Sequence, residues 1–235
     1  MKKLHIVAIL LALFAIQKNY AQEEENGSNQ VLLSNLPPSA LYSFDNSDKT
    51  IRGSVYIQNA FMPAKLSLED GTKIFKLRYN AFNDEIEIEI DGQEPNALNR
   101  NIDNLLIIFV GDDKTYEAVD YINDEGSTVR GYFVHANDAH SKHQLLIKES
   151  IKFVDRKPAK TSYDKGKPAE FIRLDDRYFI AIGDNPAVEF PKKKKDLSNI
   201  FPDKYDDIID FMKENKIKTS REEDLIELVN YINLL

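Results

Sequence analysis

The stretch Lys76–Ile90, KLRYNAFNDEIEIEI, sets glutamates at 85, 87 and 89 and basic residues at 76 and 78, all at every second position. Successive side chains of a β-strand point to opposite faces, so a period of two places one set of residues on each side. A hairpin with residues 81–84 as its loop pairs Asn80 with Glu85, Arg78 with Glu87 and Lys76 with Glu89. The same register sets Tyr79 beside Ile86, Leu77 beside Ile88 and Phe75 beside Ile90. One face is then apolar, and the other is a ladder of opposite charges exposed to water. Each cross-strand pair is worth roughly 0.2–1 kcal/mol, and a slip of one residue would drive glutamates into the core. On this reading Glu87→Lys costs little and Ile88→Glu a great deal. Register alone accounts for the three carboxylates. A hard cation needs oxygens converging from a loop, whereas a strand spreads its same-face side chains about 6.6 Å apart.

Working outward, Asp70-Gly71 separates two alternating runs and signals a second hairpin, with GSVYIQN (53–59) as an expected first strand. Further short strands are expected in LLIIFV (105–110), TYEAVDYI (115–122), TVRGYFVH (128–135), QLLIKESIKFV (144–154), EFIRL (170–174) and RYFIAI (177–182), parted by turn residues such as Gly111-Asp112 and Gly183-Asp184. Short strands with short links imply an α+β fold, mostly antiparallel β, as a meander closed into a partial barrel or sandwich. Near the C-terminus, Pro202-Asp203 opens one helical pattern (Tyr205, Ile208, Ile209, Met212). The capping box Ser220/Glu223 opens another (Leu225, Leu228, Val229, Ile232). The chain is expected to end in an αα-hairpin packed on the sheet. The expected division is a signal peptide over 1–21, a flexible leader and entry loop over 22–50, an antiparallel β domain over 51–190 and the helical hairpin over 191–235.

The N-terminus decides location. Lys2 and Lys3 precede an apolar run from Ile6 to Ile16, and Ala21 precedes Gln22, the pattern of a cleavable secretory signal. The run is too short for a bilayer core, which takes roughly 20 apolar residues, so the expected mature protein is exported, in the periplasm or outside the cell, and does not span the membrane. There is no cysteine, so neither a disulfide nor a thiol-linked lipid supports the fold. The formal charge of −8 becomes more negative once Lys2, Lys3 and Lys18 leave with the signal, which argues against nucleic acid as a partner.

No H-E-x-x-H, G-x-S-x-G, P-loop or dinucleotide fingerprint is present, and no cofactor is indicated. A Ser-His-acid triad or carboxylate pair gathered from distant strands is left open. The one constellation with metal-ligand chemistry is HANDAHSKH, where His135, His140 and His143 fall within nine residues; three imidazoles from one loop suit Zn²⁺ or Cu²⁺. The alternative is a polar loop whose histidines are solvated. Two basic runs, residues 155–168 and Lys192 to Lys195, are either solvated strand edges or contacts for anionic lipid or polysaccharide.

The residues 53–88, with the closing SREEDLIELVNYIN, resemble a group of exported proteins of Gram-negative bacteria for which no activity is established. The likeness lies in the Gly-led first strand, the Asp-Gly hairpin, Arg-Tyr-Asn before a Glu-rich strand, and the late helix ending in Tyr-Ile-Asn. It implies an envelope location and a β-rich body. Three functions are consistent with the sequence. The first is a non-catalytic envelope protein that binds a protein or another envelope component or has a structural role. The second is a carrier of an apolar ligand inside the curled sheet, lined by Phe75, Tyr79, Phe133 and Phe153. The third is a metal-dependent hydrolase or metal-binding protein built on the histidine loop.

Overall fold

The structure is a computed structural model that describes residues 41–43, 51–68, 71–112, 114–157 and 166–235. The expected signal peptide, the acidic stretch after it and Asp70 lie outside the described residues. Within them the chain is mostly antiparallel β, its main sheet curled into a half-barrel, with a short helical part at the C-terminus.

The strands are β1 (Leu41–Ser43), β2 (Met62–Leu68), β3 (Gly71–Asn80), β4 (Glu85–Ile88), β5 (Asn96–Leu98), β6 (Ile107–Phe109), β7 (Thr115–Ile122), β8 (Thr128–His135), β9 (His143–Lys148), β10 (Ile151–Val154), β11 (Glu170–Arg173), β12 (Arg177–Ile182) and β13 (Val188–Glu189). The main sheet runs β1-β5-β4-β3-β2-β6-β7-β8-β9-β12-β13, and β10 and β11 pair apart from it as a two-stranded ribbon. Both ends of the sheet are very short strands, which gives little edge for another chain to pair with.

The β3–β4 hairpin has the register its alternation predicts: Asn80 with Glu85, Tyr79 with Ile86, Arg78 with Glu87 and Leu77 with Ile88. Beyond the strand end Lys76 and Glu89 still meet at 2.8 Å. β2 pairs with β3 along its whole length, with Leu68 opposite Gly71. Three strands coincide with their predicted spans, at 115–122, 128–135 and 177–182.

Several expectations fail. Residues 53–59 form no strand. Gly53 takes φ 80°, and the position of a Cβ there is already occupied by the Phe171 carbonyl oxygen, so the segment turns against β11 instead of extending. Tyr56 forms an isolated bridge with Asn80 at the end of β3, and the Tyr56 and Phe61 side chains stack on the Arg78 guanidinium at 3.7 and 4.1 Å. Arg78 also donates to the Tyr56 hydroxyl at 2.6 Å and the Asn59 carbonyl at 3.2 Å. The second failure follows. Glu87 is not on a wet face but fully buried, its carboxylate held by Arg78 at 2.7 Å and by the Asn80 amide at 3.1 Å. Residues 144–154 also break into two strands, because Glu149 leaves the ladder to take Lys114, Arg173 and the Tyr116 hydroxyl.

The inner face is filled. Leu66, Leu77, Ile86, Ile88 and Ile107 are wholly buried in one cluster with Phe75, Tyr79 and Tyr116. Next to it on the same face, Leu145 and Ile180 meet the helices α1 (Tyr205–Glu214) and α2 (Glu222–Leu234) through Ile208, Met212, Leu225, Leu228, Val229 and Ile232. The helices thus cover the part of the inner face that the curl leaves open. Ser220 does not cap α2; Arg221 occupies the cap position without a side-chain bond, and Asp224 instead accepts the Lys218 N–H at 2.8 Å. Of the aromatic residues expected inside, Phe75 and Tyr79 are there. Phe133 belongs to a separate cluster on the outer face with Phe179 and Tyr121, and Phe153 is exposed on the ribbon.

The β8–β9 ladder shows how the curl is closed. The two strands pair only at Val134–Ile147 and His135–Leu146 and then splay apart. The β3–β4 turn fills the gap. Asp84 Oδ1 accepts the Tyr132 N–H at 3.1 Å, and Lys148 Nζ donates to the Tyr132 carbonyl at 2.9 Å and to Asp84 at 2.7 Å. A side-chain ion pair thereby replaces the missing ladder bonds. Only glycine fits beside it, since a Cβ at Gly131 would lie 2.4 Å from Asp84 Oδ2 and 2.8 Å from Lys148 Nζ.

Burial separates two carboxylates that look alike in sequence. Glu87→Gln leaves a half-satisfied guanidinium under a lid and is expected to cost about 3 kcal/mol, whereas Glu89→Gln, at a largely exposed pair, costs under about 0.5 kcal/mol. Urea unfolding midpoints of the two variants measure this. Equal losses would contradict the buried placement of Glu87.

Candidate functional site

The side chains that point away from the core gather over β7, β8, β9 and β12. There an open groove of about 470 Å³ is lined by Asp103, Glu117, Asp120, Arg130, Gln144 and Asp184, together with Asn104, His140 and Asn185. Its apolar floor includes Val119 and Ala181, which belong to the outer aromatic cluster around Phe133 and Phe179. Strand parity sets this up: Tyr116 and Ala118 face the core, so Glu117 and Val119 face out.

Glu117 is the most firmly positioned of these groups. Its Oε2 lies 2.8 Å from Nε2 of His135, whose side chain is 2% exposed. His135 Nδ1 is buried with no hydrogen-bond partner among the described residues. In the assignment where Nε2 carries the proton, His135 donates to the carboxylate and leaves a bare lone pair at Nδ1, which is cheaper to bury than an unpaired N–H. A buried imidazole therefore fixes one carboxylate oxygen. Arg130 is held by Asp103 at 2.9 Å and Asp120 at 3.3 Å, and its Nε donates to the Arg100 carbonyl at 2.7 Å. The groove offers acceptors in excess: four carboxylates against one guanidinium that two of them share.

The three predicted histidines have separate roles. His135 holds Glu117. His140 lines the groove. His143 clasps α2: Asn233 Oδ1 accepts both its backbone N–H at 2.9 Å and, in that assignment, its Nδ1–H at 3.0 Å, while the Asn233 amide donates to the His143 carbonyl at 2.9 Å. Among the described residues no three His, Cys, Asp or Glu side chains are grouped so as to hold a metal ion. The residues that build the groove carry no motif; Glu117 and Gln144 are marked only by outward parity, and Arg130, on the parity of Tyr132 and Val134, reaches the groove from near the start of β8. The α2 clasp has a counterpart at the helix N-terminus, where the Tyr178 hydroxyl donates to Glu222 at 3.2 Å.

Beneath the opposite side lies a second polar group that is structural. Burial, then the nearby Asp84 carboxylate, pushes the Tyr79 hydroxyl well above its usual pKa, and Tyr79 donates to Asp84 at 2.7 Å. Burial pulls the Lys148 ammonium below its usual value despite Asp84. Glu149 is opposed by burial but ends below the normal carboxylate range because Lys114, Tyr116 and Arg173 all favour its charge. No protein-family model, curated protein or solved structure matches this chain. Among the described residues no helix is long and apolar enough to cross a membrane.

The His143 clasp makes stability depend on pH. Burial, aided by Lys142 and Lys204, lowers the imidazole pKa below 6.5 against the pull of Asn233. The unfolded chain therefore takes up the proton first, so stability is complete above about pH 6.5 and falls as pH drops towards the folded value. Glu149 adds a further loss below about pH 4.5, of the same sign. Thermal melts between pH 7 and 5 are expected to slope downward for the wild type and to be flatter for His143→Gln. Parallel slopes would contradict the assignment.

Proposed function

We propose that this is an exported, non-catalytic binding protein whose ligand seat is the outer groove, and whose ligand is polar and rich in hydrogen-bond donors, bearing hydroxyl or ammonium groups. The carrying observation is the Glu117 carboxylate, fixed in the groove wall by a buried histidine that has no other polar partner among the described residues. Fixing an acceptor in advance reduces the ordering cost of binding, and acceptors from Asp103, Asp120, Asp184 and Gln144 surround it. Export is supported by the charged and apolar pattern of residues 1–21. The resemblance to exported Gram-negative proteins points to the same compartment.

The filled inner face gives an apolar carrier no support, since the residues that would line its cavity are packed against one another. The separate partners of His135, His140 and His143 give none to a metal enzyme.

Native mass spectrometry of the protein purified from its own envelope tests the proposal. Extra mass of a small polar compound, released by mild denaturation and absent in Glu117→Ala, is expected. Extra mass of lipid size that persists in Glu117→Ala, or a bare protein mass throughout, would overturn it.

A further inference from the structure

The β10–β11 ribbon stands outside the main sheet and presents apolar and basic side chains together. Lys152 pairs with Ile172, Phe153 with Phe171 and Val154 with Glu170. Because opposed residues share a face, Val154 and Ile172 lie on one side, and Leu174, one step past the strand and bonded to the Ser150 carbonyl, continues it. Ile172 and Leu174 are each 37% exposed. On the other side Phe153 (37% exposed) stacks on Phe171, which in turn meets Phe82 (43% exposed), with ring centroids 5.2 and 5.0 Å apart. Isolated exposed apolar residues need no explanation, but Phe153, Ile172 and Leu174 on the two sides of one small ribbon, with Phe82 beside it, do.

The charges on the ribbon are of one prevailing sign in a protein of net charge −8. Lys152, Arg156, Lys157 and Lys167 are exposed, against Asp155 and Glu170. Lys157 and Lys167 form a backbone bridge with bonds in both directions, at 2.9 and 2.8 Å, which sets two basic residues at opposed positions. Like charges so placed destabilise a ribbon, and neither lysine has an acidic partner among the described residues. An anion outside the chain would relieve this pair. The ribbon is also held firmly at its base, where Arg52 bonds to Ala169 and Phe171, and where Gly53 lets the chain approach the Phe171 carbonyl.

We propose that the β10–β11 ribbon is a docking surface for an anionic lipid bilayer. Exposed aromatic and branched side chains enter the interfacial layer while the flanking lysines and arginine meet lipid phosphates. This surface is independent of the outer groove and does not rely on its ligand.

Flotation with vesicles tests it, using protein purified from the cells that make it and variants that keep the same N-terminus. The wild type is expected to float with vesicles containing about one-third phosphatidylglycerol at low salt and to be released at about 0.5 M salt, where screening is strong. It is expected to float poorly with pure phosphatidylcholine. Lys157→Glu with Lys167→Glu, and separately Phe153→Ser with Ile172→Ser, are each expected to reduce the bound fraction at least about tenfold. Melting temperatures check that both double variants fold. Full binding by either variant, equal binding to neutral vesicles, or binding to soluble polyphosphate but not to vesicles would each overturn the proposal.

Discussion

The pair of Asp84 and Lys148 is the constraint on which this architecture turns. A curled antiparallel sheet must either close its hydrogen-bond ladder or find other partners for the backbone groups it leaves open. Here β8 and β9 part after two paired positions, and the N–H and carbonyl of Tyr132 are taken by a carboxylate and an ammonium delivered from elsewhere in the chain. The carboxylate comes from the turn whose sequence fixes the hairpin register. That turn is braced by the Tyr79 hydroxyl and by backbone bonds from Ala81 and Phe82 to Val55 and from Ile151 to Ala81. Gly131 makes room for the pair. A buried ion pair gains little unless its remaining bonding capacity is met, and here it is met by the backbone the pair serves.

The parts of the fold that were legible in the sequence are those set by period. Arg78–Glu87 and Lys76–Glu89 follow from alternation because a shift of one residue would bury charge. The helical stripe Leu225, Leu228, Val229 and Ile232 is buried as its spacing predicts. What alternation does not encode is whether a polar face stays wet. Glu87 and Glu89 are identical in pattern, yet one lies under Tyr56 and Phe61 because a distant glycine turns the entry segment back over the hairpin. The same limit explains residues 144–154: Leu145, Ile147, Ile151 and Phe153 alternate on either side of Glu149, but two cations and one hydroxyl from elsewhere in the chain pull that carboxylate out of line.

The site was hidden for a related reason. The histidine cluster was visible by composition, and its members serve three purposes set by parity and by α2. Glu117 is marked only by its outward parity on β7, and Arg130, on the parity of the core residues Tyr132 and Val134, is not marked even by that. With the inner face packed solid, the outward residues of β7, β9 and β12 line the groove proposed as a ligand seat, and His135 braces Glu117 within it.

The claim most open to direct test is that Asp84 and Lys148 act as one unit that closes the half-barrel. A double-mutant cycle on Asp84→Asn and Lys148→Met, followed by urea unfolding, measures it. Each single change is predicted to cost about 3–5 kcal/mol, and the double variant markedly less than their sum, with a coupling of at least about 2 kcal/mol. Additive losses would contradict the account, since the gap between β8 and β9 would then be held by something other than this pair.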